Sequence, residues 1–132
     1  MSIFKTLSRI FREAPMADLT YDWNGDTIRF SDWDNDAYGT FQYTTRDRRF
    51  EFVFDLQPVD DQVRVYIVDQ PSYQGRSEDG HDTHRKYDSD KGLHYVSIED
   101  RMSPTNVPHA LTWAVSWAEH TGNYIRTGRH FA

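Results

Sequence analysis

With 132 residues and no cysteine, the chain has the length of one domain and cannot form disulfides, thiolate zinc sites or cysteine nucleophiles. Its formal net charge is −6, from 16 Asp and 5 Glu against 12 Arg and 3 Lys. This acidic balance argues against nucleic-acid binding and favours a protein partner with a basic patch. No apolar run has the length of a transmembrane helix, so we expect no membrane contact from that source.

The first predicted element is an amphipathic helix over residues 2–14. Its apolar residues recur at three- and four-residue spacing on one face, and Pro15 ends it. We interpret this apolar face as part of the core. Because the flanks are basic, a peripheral membrane or assembly role through this helix is an alternative interpretation.

After Pro15 the period at which apolar residues recur changes from 3.6 residues to 2 residues, which predicts antiparallel β-strands. Asn24-Gly25 predicts a tight hairpin between strands near residues 19–23 and 28–30. The same alternation predicts four further strands, over residues 38–45, 49–56, 63–69 and 93–98. The connections within this region are mostly too short for a parallel return, so neighbouring strands should be antiparallel.

A broadly apolar helix is predicted to begin near Val107. Thr105 or Asn106 can cap its start, and Gly122 or Gly128 could end it. All 132 residues are therefore predicted to form one α+β domain. Its antiparallel sheet has about six strands in a meander-like order, with the N-terminal and C-terminal helices packed on one face.

Residues 70–92 interrupt the alternation and predict a long polar loop. Imidazole groups in and near it could bind a metal ion or transfer protons. A small-ligand-binding, metal-binding or hydrolytic protein that uses the His/Asp-rich segment 78–84 is therefore an alternative, and in the metal-binding interpretation His81, His84 and His94 are the ligands. We favour a surface loop, because the spacing matches no established metal motif.

The tightest basic cluster consists of Arg46, Arg48 and Arg49, in a predicted hairpin turn. These arginines, together with Tyr66 and Tyr73, are the predicted partner-binding residues. No nucleophile elbow or phosphate-binding loop is present, so we assign no catalytic residue and no cofactor.

The main functional hypothesis is a non-catalytic interaction module in the cytoplasm, of an adaptor, chaperone-like or immunity type. It would bind a protein partner through an open sheet face. Exposed strand edges would also allow a homodimer.

Overall fold

The computed structural model describes the backbone of residues 20–23 and 26–29, and residues 38–98 and 103–130 in full. The predicted antiparallel sheet and C-terminal helix are confirmed, and the predicted helix at 2–14 lies outside the described residues. In chain order the elements are β1 (Thr20–Trp23), β2 (Asp26–Arg29), β3 (Gly39–Thr44), β4 (Glu51–Val59), β5 (Gln62–Asp69), α1 (Gly80–Thr83), β6 (Arg85–Asp88), β7 (Leu93–Val96) and α2 (Val107–Thr127).

Strands β1 and β2 form an antiparallel hairpin of their own. Their register runs from Thr20 opposite Arg29 to Trp23 opposite Asp26, which leaves the two-residue connection that Asn-Gly predicts. The other strands form a five-stranded sheet in the order β3-β4-β5-β7-β6. The prediction was one sheet of about six strands, whereas the described residues contain seven strands in two sheets.

In the five-stranded sheet, paired residues of neighbouring strands form rows that cross the sheet, with one residue from each strand in a row. One row lies on the side of α2: Phe41, Phe54, Ile67, His94 and Tyr87. The adjacent row lies on the opposite side, called the outer face: Thr40, Asp55, Tyr66, Tyr95 and Lys86. Alternate residues of a strand point to opposite sides of the sheet, so these two rows define the two faces.

Helix α2 covers the apolar side of the sheet. The Asn106 side chain accepts a 2.9 Å hydrogen bond from the backbone N–H of His109, which makes Asn106 the N-cap. At the other end Gly128 has a φ of 76°, so Gly128 ends the helix and Gly122 lies inside it. The Trp117 ring meets Phe52 and Phe54 edge-on, with centroid distances of 5.7 and 5.9 Å.

Residues 70–92 are more ordered than the sequence predicted, because they contain α1 and β6. Strand β6 has few apolar residues and, among the described strands, pairs with β7 alone, so its sequence showed no clear alternation. The segment is fixed to α2 through its backbone carbonyls: the hydroxyl of Tyr124 donates a 2.9 Å hydrogen bond to the carbonyl of Ser77. Contacts of this kind leave no pattern in the sequence.

Candidate binding surface on the outer face of the sheet

The outer face carries a cluster of two tyrosines, an arginine and an aspartate. The Tyr66 hydroxyl donates a 2.7 Å hydrogen bond to Oδ2 of Asp88, and Nη1 of Arg64 lies 3.2 Å from the same oxygen. The Arg64 guanidinium carbon lies 4.1 Å from the ring centroid of Tyr95, the position of a cation–π contact. These four residues are called the outer-face cluster below.

The sheet register explains how the cluster forms. Arg64 and Tyr66 are two residues apart on β5, so they point to the same side. Tyr95 lies directly opposite Tyr66 on β7. Asp88 is the last residue of β6, and its Oδ1 accepts hydrogen bonds from the backbone N–H groups of Asp90 and Lys91, at 2.9 and 3.2 Å. The backbone of the β6–β7 turn therefore orients the Asp88 carboxylate independently of its contact with Arg64.

Hydrogen bonding stabilises the charged form of Asp88 and the protonated form of Tyr66 in the cluster. The hydrogen bond from Tyr66 is the largest effect on the pKa of Asp88 and lowers it; burial opposes this, and the backbone hydrogen bonds from Lys91 and Asp90 together with the charge of Arg64 lower it further. Burial and the hydrogen bond to Asp88 raise the pKa of Tyr66. Near neutral pH the cluster thus holds a carboxylate, a guanidinium and a protonated phenol in fixed positions.

Beside the cluster, a cavity of about 140 Å³ opens between β5 and β7. The registered pairing of these strands covers only two pairs, Tyr66–Tyr95 and Ile67–His94. Beyond these pairs no further residue of β7 is registered with β5, and the backbone N–H of Val63 instead donates a 2.8 Å hydrogen bond to the carbonyl of Pro104. The lining residues of the cavity are Gln62, Val63, Arg64, Val65, Lys86, Tyr95, Val96, Ser97, Ser103, Pro104 and Trp113.

The three predicted partner-binding arginines lie in the exposed β3–β4 turn, away from the outer-face cluster in the sheet order. The backbone N–H of Arg49 donates a 3.0 Å hydrogen bond to Oδ1 of Asp47, and its Nε lies 3.9 Å from Oδ2. Arg48 has a φ of 65°, and Arg46 is exposed like Arg48 and Arg49. The structure does not bring these arginines together with Tyr66 or Tyr73.

The two predicted tyrosines are both buried. Tyr66 is only 1% exposed and belongs to the outer-face cluster, beneath Arg64 and with Nζ of Lys91 5.9 Å from its ring centroid. Tyr73 is also buried, under the guanidinium of Arg85 at 4.9 Å. A partner would therefore contact Arg64 and Lys91 before Tyr66, and the partner-binding role of these tyrosines stays a prediction.

The three predicted metal ligands occupy different structural settings. His81 is exposed in α1, whereas His84 ends α1 in a left-handed conformation with a φ of 50°. His94 packs on Tyr87 with a centroid distance of 5.0 Å, and burial together with the charge of Arg85 lowers its pKa. Among the described residues, no group of three or more His, Asp or Glu side chains is arranged to hold a metal ion.

Three members of the outer-face cluster were not predicted as site residues: Arg64, Asp88 and Tyr95. Their two-residue spacing on a predicted strand could have shown that Arg64 and Tyr66 lie on the same face of the sheet. Asp88 could not have been linked to them, because its strand had not been predicted and 24 residues separate it from Arg64.

No protein-family model, curated protein or solved structure matches the chain. In the described part of the chain, no helix combines the length and the apolar character that crossing a membrane requires. The geometry of the outer face is therefore the basis for the function proposed below.

Proposed function

We propose that this chain is a non-catalytic protein-binding module that receives a basic partner on its outer face. The observation that carries the proposal is the outer-face cluster, in which Arg64 is fixed between Asp88 and the ring of Tyr95. Tyrosine and arginine contribute disproportionately to binding energy in protein interfaces. Both residue types occur here near the middle of a five-stranded surface.

Preorganisation supports this role. Binding a partner costs side-chain entropy whenever a flexible residue must be ordered. The hydrogen bond between Tyr66 and Asp88 and the cation–π contact between Arg64 and Tyr95 already fix the cluster in the isolated chain. A partner would meet an arginine whose position is set in advance, which lowers that cost.

The distribution of charge suggests where a basic partner would dock. Glu51 and Asp55 both lie on the outer face of β4, at positions paired with Thr44 and Thr40. Glu51 is exposed and forms no ion pair with another described residue. A partner's lysine or arginine side chains would therefore find carboxylates on β4, beside the arginine and tyrosines of the cluster.

The proposal keeps the cytoplasmic location and the non-enzymatic character inferred from the sequence. A homodimer through an exposed strand edge would also be compatible with it. The alternatives that use the histidine segment or the N-terminal helix stay predictions, since no contact among the described residues favours either.

The test is affinity enrichment from the source cell, followed by measurement of binding to the purified partner. Glu51→Arg and Gln42→Arg alter exposed outer-face positions, and we expect each to weaken binding about tenfold or more. Asp79→Arg is the matched control, because Asp79 is an exposed carboxylate next to α1 and its side chain caps no helix. Equal weakening by the control variant, or no weakening by the two outer-face variants, would contradict the proposal.

A further inference from the structure

Six exposed arginines lie around the last turns of α2, at one end of the molecule. Three belong to the β3–β4 turn, and three belong to α2 or to the segments next to its end. They are Arg46, Arg48, Arg49, Arg76, Arg126 and Arg129, and they are called the arginine end below. Because the whole chain has a net charge of −6, this group of arginines is opposite in sign to the rest of the molecule.

Two contacts hold the β3–β4 turn against α2. The backbone N–H of Arg46 donates a 2.9 Å hydrogen bond to Oε1 of Glu119. Three residues further along α2, Gly122 leaves room for the ring of Phe50, since a Cβ atom at Gly122 would lie 2.9 Å from Cδ2 of that ring. The arginines of the turn therefore lie beside the helical turn that precedes Arg126.

The other three arginines surround the C-terminal end of α2. Nε of Arg76 donates a 3.4 Å hydrogen bond to the carbonyl of Ile125. Its guanidinium packs against Gly128, where a Cβ atom would lie 2.8 Å from Nη1. Arg126 lies in the last turn of α2, and Arg129 follows Gly128 in the sequence. The helix dipole stabilises cations at this position.

Asp47 is the carboxylate inside the β3–β4 turn, and the turn itself uses it. Its Oδ1 accepts hydrogen bonds from the backbone N–H of Arg49 at 3.0 Å and from the Thr45 hydroxyl at 2.7 Å. These two bonds lower the pKa of Asp47, burial opposes them, and the charges of Arg49 and Arg126 lower it further. The turn and the end of α2 thus share one electrostatic environment.

The remaining carboxylate of this end is also engaged, whereas two arginines are available to a partner. Oε1 of Glu119 accepts a 2.6 Å hydrogen bond from the Tyr43 hydroxyl in addition to the one from the turn. Neither Arg48 nor Arg126 forms an ion pair with a described residue. Nη2 of Arg126 donates to Oδ1 of Asn123 at 3.1 Å, which leaves the other N–H groups of this guanidinium as donors.

Arg48 has a backbone conformation that glycine adopts more readily than arginine. Its φ is 65°, and its backbone N–H donates a 2.9 Å hydrogen bond to the carbonyl of Thr45, which fixes the turn. A residue with a Cβ atom is uncommon at positive φ. An exposed arginine at such a position indicates a role of the side chain in binding, because the fold alone would favour glycine.

The surrounding charges narrow the choice of anion. Guanidinium groups pair with carboxylate and phosphate groups through two parallel hydrogen bonds. Nucleic acid is disfavoured by the net charge of −6, by Asp47 within the arginine end and by Glu51, which lies at its border with the outer face. In an extended acidic peptide, side chains on the same side are about 7 Å apart, so they can meet the arginines and avoid Asp47.

We propose that the arginine end binds an acidic segment of a second protein. Aspartate or glutamate side chains of that segment pair with Arg48 and Arg126 and with the arginines beside them. This surface is different from the outer face, so a failure of this proposal leaves the proposed function unaffected. If both proposals hold, the chain connects a basic partner on one surface with an acidic partner on another.

The experiment is a fluorescence anisotropy titration of the full chain against a labelled peptide of about ten residues in which glutamate and serine alternate. We expect saturable binding with a Kd below about 1 mM at low salt, which weakens as the ionic strength rises. Arg126→Gln should weaken binding about threefold, and its combination with Arg48→Gly about tenfold. Lys91→Gln is the matched control, because Lys91 is an exposed cation in the β6–β7 turn, outside the arginine end.

The single variant Arg48→Gly separates binding from folding. Glycine adopts the φ of this position without steric cost, so the midpoint of thermal denaturation should not fall. Peptide binding should nevertheless weaken about threefold, because one guanidinium is lost. Weaker binding by the folded variant supports the proposal, and unchanged binding contradicts it.

Two other anions test the class of partner. Vesicles that contain phosphatidylserine represent a membrane surface, and oligothymidine represents single-stranded nucleic acid; we expect both to bind more weakly than the acidic peptide. Tighter binding of either one would assign the arginine end to that class and overturn the proposal. Equal weakening by Lys91→Gln, or no saturable binding of the peptide, would overturn it as well.

Discussion

The indole Nε1 of Trp117 donates a 2.9 Å hydrogen bond to the carbonyl oxygen of Thr83. Both residues have 0% exposure, and 34 residues separate them in the chain. The bond joins α2 to the end of α1, inside the segment that the sequence predicted as a polar loop. A buried carbonyl without this donor would carry the full cost of its lost hydration.

We therefore expect Trp117→Phe to lower the free energy of unfolding by about 2–4 kcal/mol, from the lost hydrogen bond and the smaller ring. Chemical denaturation would measure this change. Hydrogen exchange should also accelerate at the backbone amides of residues 79–85. A loss of stability without faster exchange in that segment would show that Trp117 does not hold it.

Gly122 should resist substitution although it lies inside a helix. Alanine there gains roughly 1 kcal/mol of helix propensity. However, a Cβ atom at Gly122 would lie 2.9 Å from Cδ2 of Phe50 and 3.4 Å from Cγ2 of Thr45. We expect Gly122→Ala to lower the unfolding free energy by about 1 kcal/mol net, because crowding in a packed site typically costs 1–3 kcal/mol.

A double variant checks the cause of that loss. Phe50→Leu removes the ring that the added Cβ would meet, so Gly122→Ala should cost less in the Phe50→Leu background than in the native chain. Additive losses in thermal or chemical denaturation would mean that Phe50 is not the source of the crowding.

The stability of the chain should fall as the medium becomes mildly acidic. Burial and Arg85 lower the pKa of His94 from its ordinary value of 6.5, while Glu78 opposes them. Burial also lowers the pKa of His109. The unfolded chain therefore binds more protons below about pH 6.5, so the unfolding free energy decreases as the pH falls through the folded-state pKa values.

Denaturant unfolding between pH 7.5 and pH 5 would measure the slope. His94→Gln should reduce the slope, and combining it with His109→Gln should reduce it further. An unchanged slope in the double variant would assign the acid sensitivity to other groups.

The Tyr66 hydroxyl should control the titration of Asp88. The hydrogen bond from Tyr66 is the largest contribution that lowers the pKa of Asp88. We expect Tyr66→Phe to raise the pKa of Asp88 toward its ordinary value of 3.8. Carboxyl-carbon NMR would follow the titration, with Asp47 as the internal reference, because backbone and side-chain hydrogen bonds from Arg49 and Thr45 lower its pKa instead. A pKa of Asp88 that does not move would contradict the geometry of the cluster.

Local patterns in the sequence predicted much of the fold. Alternation from Phe50 to Leu56 identified β4, and local sequence gave two candidates for each cap of α2, which include the observed Asn106 and Gly128. These features depend on neighbours only a few residues apart, so a single sequence contains them. Gly128, with a φ of 76°, ends the helix, whereas Gly122 lies inside it close to Phe50, and local sequence does not distinguish these two settings.

The site was harder to predict because its contacts join distant parts of the chain. Tyr66 was selected, but its partner Asp88 lies 22 residues away on an edge strand with no apolar alternation. The cavity between β5 and β7 depends on where the pairing of these two strands stops. The order of strands in a sheet cannot be read from the period of the apolar residues. Arg46, Arg48 and Arg49 were predicted to bind a partner because they lie close together in the sequence.

Side-chain footprinting of the chain with its enriched partner tests the central claim most directly. Carboxylate labelling, compared between the isolated chain and the complex, should show protection of Glu51 and Asp55 on the outer face and unchanged labelling of Asp79. Protection of Asp79 while Glu51 and Asp55 label as they do in the isolated chain would place the partner elsewhere and contradict the account.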